Sequence, residues 1–145
     1  MDEFFKIDPK AAGSKGIVYI GSKMLVYRRD ENTDVFPLYI DLPGGISEPN
    51  ETPFETFRRE VKEEFGLVVM LRDVTYVRSY PSNRHGGKTL YFPVVQLPGK
   101  AANQIEFGDE GLEYFLMKPK EFLRRDDVWP EYRERSIDYF NSLDR

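Results

Sequence analysis

The sequence predicts an α/β (α+β) fold in which helices pack on a mixed β-sheet. Three observations predict it. Stretches of strand character outnumber helical ones, the helical ones are interspersed rather than grouped, and 145 residues suit a single domain (1–145) around one core of ordinary size. Some 40% of the residues are hydrophobic and 32% charged, the balance of a folded chain in water. The net charge of −4 argues against general nucleic-acid binding, which favours a basic surface. No run approaches the ~18 apolar residues of a membrane span. The opening MDEFFKIDPK is acidic and lacks the apolar stretch of a secretory signal. The expected setting is therefore cytoplasmic, without a membrane partner, for a monomer or homodimer. The chain has no cysteine, which excludes disulfides, thiolate metal sites and a cysteine nucleophile.

The elements follow in chain order. KGIVYI (Lys15 to Ile20) and KMLVYRR (Lys23 to Arg29) read as strands around a Gly21-Ser22 turn. Asp30 to Asp34 is a polar loop, and Leu38 to Leu42 a short strand that stops at Pro43-Gly44-Gly45. A helix follows over Pro53 to Phe65. Thr52-Pro53-Phe54-Glu55 is a capping box with proline at the first helical position, and Gly66 suits the positive φ of a C-terminal cap. Phe54, Phe57, Val61 and Phe65 form its core stripe. Strands near Val68 to Tyr80 and Thr89 to Leu97 come next, joined by Pro81 to Lys88, where the lone His85 reads as a solvated turn residue. Leu112 to Met117 completes the strands. Pro119 to Arg124 and Pro130 to Leu143 close the chain as helices.

The first helix carries its charge at the wrong end. Glu60 and Glu64 lie ~40° apart at 100° per residue, on one flank of the apolar stripe, and Glu63 lies ~60° from Glu60. A like-charge i,i+4 pair costs a few tenths of a kcal/mol. Facing the negative end of the helix dipole adds about 0.3–1 kcal/mol for each acid. Two readings compete. A solvated acidic face predicts basic residues in the last turns, yet only Lys62 interrupts the acids. A divalent cation resolves the conflict, because Mg²⁺ and Mn²⁺ seek carboxylate and carbonyl oxygens and leave positions open for phosphates.

The spacing of this segment resembles the signature of the Nudix hydrolases, G-x5-E-x7-R-E-U-x-E-E-x-G-U with U aliphatic. Gly45, Glu51, Arg59-Glu60-Val61, Glu63-Glu64, Gly66 and Leu67 fill every fixed position, so the box spans 45–67. The resemblance implies an α/β/α sandwich and a MutT-like pyrophosphohydrolase that cleaves a nucleoside diphosphate linked to another group. It implies Mg²⁺ or Mn²⁺ as cofactor, held by the Gly45 carbonyl and by Glu60, Glu63 and Glu64. It also implies a structural ion pair between Glu51 and Arg59.

Many relatives add one further acid from a later loop as ligand or general base. Glu106, Asp109, Glu110 and Glu113 compete here, and Glu110 fits best, ahead of Leu112 and Tyr114-Phe115-Leu116. The implied catalytic set is Glu63, Glu64 and Glu110, with Glu110 also a metal ligand. Arg28 and Arg29 stand where several relatives contact substrate phosphates. The partner is then a small nucleotide. A nucleoside triphosphate is the favoured substrate, with ADP-ribose, a nucleotide sugar or a dinucleoside polyphosphate as alternatives. A non-catalytic nucleotide sensor on the same fold is an alternative of another class. Candidate base-stacking aromatics are Tyr27, Phe36, Tyr39, Tyr80, Tyr91 and Phe92. Asp41 either faces the base pocket or water.

Overall fold

The computed structural model describes residues 2–143. Its strands are β1 (Ala11–Lys15), β2 (Ile17–Ile20), β3 (Lys23–Arg29), β4 (Ile40–Asp41), β5 (Gly44–Ile46), β6 (Val74–Ser82), β7 (Lys88–Leu97) and β8 (Gly111–Met117). The helices are α1 (Pro53–Phe65), α2 (Pro119–Arg124) and α3 (Pro130–Ser142). One mixed sheet contains all eight strands. β7 pairs in parallel with β1 and β2 and antiparallel with β6. β3 pairs antiparallel with β2, β4 and β8.

The strand expected from Lys15 to Ile20 is two strands, broken at Gly16. A Cβ there would lie 1.9 Å from the carbonyl oxygen of Pro93 on β7, so only glycine fits this close approach. Its N–H is drawn away from the ladder and donates to Pro43 O at 3.0 Å. Both halves keep β7 as a parallel neighbour, but each takes a different partner on its other side. β1 pairs with β5, placing Ser14 opposite Gly45, while β2 pairs with β3, placing Tyr19 opposite Met24. The sheet therefore forks, and the candidate site described below lies between the branches.

Strand alternation divides the core in two. Val18, Leu25 and Tyr27 join Phe54, Phe57, Val61 and Phe65 of α1 in one cluster. Ile17, Met24, Val26 and Val94 join Phe122 of α2 and Trp129, Tyr132 and Tyr139 beside and along α3 in the other. This is the helix–sheet–helix sandwich expected above.

Helix α1 has the predicted ends. Thr52 Oγ1 accepts from Glu55 N–H at 3.1 Å, Glu55 Oε1 accepts from Thr52 N–H at 2.8 Å, and Gly66 has φ +70°. Residues 68–73 are not the start of the next strand. Leu71–Asp73 form a 3₁₀ turn closed by Asp73 Oδ2, which accepts from Met70 N–H at 2.8 Å, and pairing begins only where Val74 meets Val95. The strand expected over 38–42 shrinks to Ile40–Asp41, because Phe36 and Leu38 adopt positive φ in the preceding turn. Among the described residues no helix is long and apolar enough to cross a membrane.

Candidate active site

Helix α1 presents Arg59, Glu60, Glu63 and Glu64 toward β5 and the loop before β8, and each finds a different environment. Arg59 grips Glu51 with two bonds, Nε to Oε2 at 2.7 Å and Nη2 to Oε1 at 3.1 Å. The same guanidinium donates to Ile46 O at 2.9 Å and to Glu60 Oε1 at 2.8 Å. It thereby ties the loop, β5 and the acidic face of α1 together, as a planar five-donor fork can. Burial works against the Glu51 charge. Hydrogen bonds from Arg59, Glu48 N–H and the Thr56 hydroxyl outweigh it and hold the carboxyl below its ordinary range.

Glu60 is mostly buried, and its carboxylate lies against the backbone of Gly45. A Cβ at Gly45 would sit 2.4 Å from Glu60 Cδ, so the glycine is what admits the carboxylate. Glu64 is only 3% exposed and accepts from Gly44 N–H at 3.0 Å. Burial raises the pKa of both acids, that of Glu64 well above its usual value despite Lys15 and the Gly44 N–H. Glu63 is more open to solvent and 3.4 Å from Arg59.

The fourth acid arrives by long-range capping. Helix ends leave carbonyls without intrahelical partners. Here Glu106 N–H donates to Phe65 O at 2.9 Å and Gly108 N–H to Glu64 O at 2.8 Å. Phe107 stacks on Phe65 at 5.6 Å between ring centroids. The loop so pinned carries Glu110 to α1, and oxygens of Glu60, Glu63 and Glu110 lie within 4.8 Å of one another. Of the four competing acids, Glu106 and Asp109 stand outside this group. Glu113 instead lies 3.4 Å from Arg28.

The donors are all oxygens, the set that suits Mg²⁺ or Mn²⁺. Three carboxylates this close repel one another unless a cation or protons intervene. The Gly45 cradle and the part-buried Glu60 fit such an ion, whereas Glu64, expected as a ligand, is buried against the Gly44 N–H and stands outside the group of three.

The two predicted arginines part company. Arg28 turns to Leu38 O at 2.9 Å and Asp127 at 3.2 Å, away from the cleft. Arg29 bonds the fully buried Asp41 at 2.7 Å, and its guanidinium lies 4.5 Å from the centre of the Trp129 ring. Asp41 also pairs with Lys15 and accepts from the Tyr27 hydroxyl at 3.1 Å, so it faces neither water nor a base. Burial disfavours the Lys15 charge, but Asp41, Tyr132 and Glu64 more than offset it and hold the ammonium protonated.

Lys15, Arg29 and Gly45 line a cleft of about 210 Å³ together with Arg84, Trp129 and Tyr132. His85 also lines it and bonds Ser82 Oγ at 2.9 Å, rather than standing free in a turn. None of the six aromatics proposed from sequence lines this cleft. Lys15, Arg84, Trp129 and Tyr132 were not expected there. For Trp129 and Tyr132 the one local signal is WPEY opening a helix, where the single tryptophan of the chain precedes the proline that fixes the first turn; Lys15 and Arg84 carry no local signal.

The NUDIX domain family matches residues 13–139. The nucleoside triphosphatase NudI of Salmonella arizonae is 32% identical over 107 residues, covering 68% of this chain and 74% of that protein. Among solved structures, a MutT protein from Methanosarcina mazei superposes with a TM-score of 0.69 at 21% identity, covering 94% of this chain and 99% of its own. An Ap4A hydrolase from C. elegans gives 0.65 at 14% identity, with 90% and 98% covered. At these identities the two structures show likeness of fold.

Proposed function

The chain belongs to the Nudix hydrolases, enzymes acting on pyrophosphate bonds of nucleotide derivatives, and we propose that it cleaves nucleoside triphosphates to a nucleoside monophosphate and pyrophosphate with Mg²⁺ or Mn²⁺. One juxtaposition carries the reading. The carboxylate cluster and the cationic, aromatic cleft share Gly45, which cradles Glu60 on one side and lines the cleft on the other. A nucleotide can thus lie with its anhydride over the acids and its nucleoside in the cleft. The likeness to NudI, named a nucleoside triphosphatase, supports the triphosphate choice.

Glu60, Glu63, Glu64, Glu110 and the Gly45 carbonyl would hold the ion. When bound, it supplies neutralisation of phosphate charge and an acidified water. The protein residues divide the remaining work. The Arg59–Glu51 brace fixes Glu60, the Gly44 N–H fixes Glu64, and the capped loop fixes Glu110. Water attacks phosphorus, the new P–O bond forms as the anhydride P–O bond breaks, and pyrophosphate leaves. The water proton passes to a carboxylate, for which the more exposed Glu63 and Glu110 are best placed. Arg29, held in the cleft by Asp41, faces the phosphates with a fixed positive charge.

The test is a chromatographic product screen of nucleoside triphosphates, ADP-ribose, nucleotide sugars and dinucleoside polyphosphates, each with and without Mg²⁺. Metal-dependent monophosphate release from triphosphates is expected. Turnover confined to another class would replace the substrate assignment, and binding without turnover would favour the sensor.

A further inference from the structure

The cleft has a polar lining dominated by groups that can only donate. Lysine, arginine and the indole N–H have no acceptor atom, and four such side chains, Lys15, Arg29, Arg84 and Trp129, meet here. Two of them are held inward by protein. Lys15 and Arg29 both pair with buried Asp41. The other two have donors to spare. Trp129 is 5% exposed, and its Nε1–H is buried without a hydrogen-bond partner among the described residues. Arg84 has one such partner, Glu131 Oε1 at 3.0 Å, and its guanidinium lies 5.1 Å from the centre of the Trp129 ring. The acceptors that line the cleft are fewer, on Glu131, His85 and Tyr132. Glu131 takes Arg84 and, at 3.4 Å, Arg135, and His85 Nδ1 meets Ser82.

We infer that Arg84, on the turn between β6 and β7, is a specificity-determining residue that selects nucleotides whose base carries an exocyclic keto oxygen. The inference rests on the triphosphate reading above. A guanidinium and an indole N–H can both be satisfied by a carbonyl oxygen. They cannot be satisfied by an exocyclic amino group, which is itself a donor. Guanine presents O6 beside N7, two adjacent acceptors that match the arginine fork, and uracil presents O4; adenine and cytosine present an amino group at the equivalent position. A base entering the cleft beside Arg84 would meet its guanidinium along this edge, and Glu131 holds the guanidinium in place for it. The phosphates lie at the other end of the cleft, toward Gly45 and the acids. Arg84 therefore reads the base and not the charge of the chain.

The experiment is kcat/KM for GTP, UTP, ATP and CTP with Mg²⁺, on the wild-type chain and on Arg84→Ala and Arg84→Lys. Arg84 is 42% exposed on its side chain and sits on a turn, so both variants should fold. The wild type should favour GTP and UTP over ATP and CTP by ~10-fold or more, the worth of one good donor–acceptor match against a mismatch. Arg84→Ala should bring that ratio close to one, mainly by raising KM for the keto nucleotides. Arg84→Lys keeps a donor but not the fork, so it should retain part of the preference, less for GTP, which offers two adjacent acceptors, than for UTP, which offers one. A uniform loss across all four nucleotides would make Arg84 a phosphate contact and overturn the inference, as would a wild type indifferent to the base. In each of these cases the triphosphate reading stands. If none of the four is hydrolysed while another pyrophosphate substrate is, the triphosphate reading itself fails, and this inference with it.

Discussion

Arg59 and the acids it faces show how single side chains decide this site. One guanidinium satisfies Glu51, Glu60 and the Ile46 carbonyl, with every bond between 2.7 and 3.1 Å. Hydrogen bonds involving charged groups contribute roughly 1.5–3 kcal/mol each, and an acid left without its partner costs more. Arg59→Ala should therefore lower the unfolding free energy by about 2 kcal/mol in denaturant titration, and also reduce turnover because Glu60 loses its brace. Arg59→Lys should not rescue turnover, since a point charge cannot fork. Gly45→Ala separates the two effects. Its new Cβ would meet only the end of the Glu60 side chain, so the fold should survive with little change in melting while metal-dependent turnover falls by ~10-fold or more, as for other small misplacements of catalytic groups. An unimpaired Gly45→Ala enzyme would show that Glu60 is not held where the site needs it.

Helix α1 was legible in the sequence because its determinants are local. A capping box, a proline at the first turn, a stripe at helical spacing and a terminal glycine all act within a few residues of one another. The acids at its end were legible for the same reason. The loop that brings Glu110 was not, beyond the family resemblance, because it is fixed by bonds from Glu106 and Gly108 to carbonyls some forty residues earlier. Phe107 is the wedge of that loop, touching Phe65, Tyr27 and Tyr114. Phe107→Ala should lower kcat while leaving helix α1 intact by circular dichroism, since it frees Glu110 without touching the other acids. Wild-type kcat in that variant would detach Glu110 from the reaction.

The turn before α3 makes a second element-level prediction. The side chain of Arg125, then that of Arg28, hold Asp127 at a pKa of about 2 against partial burial, below the ordinary 3.8. A depressed carboxylate stabilises above its unfolded pKa and loses that contribution as pH falls from about 4 toward 2. The acid limb of the stability curve should therefore be flatter in Asp127→Asn over that window. An unchanged slope would mean the pair adds nothing.

The whole molecule is organised by the fork at Gly16. One branch carries Lys15 and pairs with β5, and the other carries Arg29. The general architecture could be read from strand and helix order. The fork could not, because it sits where Gly16 approaches the backbone of Pro93, seventy-seven positions away, and neither could the cleft beside it. The same tertiary origin explains why Trp129 and Tyr132, and not the strand aromatics, line the cleft. Globally the site costs stability, since it gathers buried and like-charged acids. Mg²⁺ at a hundred times its Kd should raise the unfolding free energy by ~2.7 kcal/mol through linkage alone.

The central claim is that this acid cluster performs metal-dependent cleavage of a phosphoanhydride. The most direct test is GTP turnover against Mg²⁺ concentration, with the melting temperature followed in the same samples, for wild type and for Glu60→Gln and Glu64→Gln. The account predicts Mg²⁺-dependent GMP and pyrophosphate from the wild type, a parallel rise in melting temperature, and loss of both in each variant. Equal turnover and an equal thermal gain in the variants would place the metal and the chemistry elsewhere.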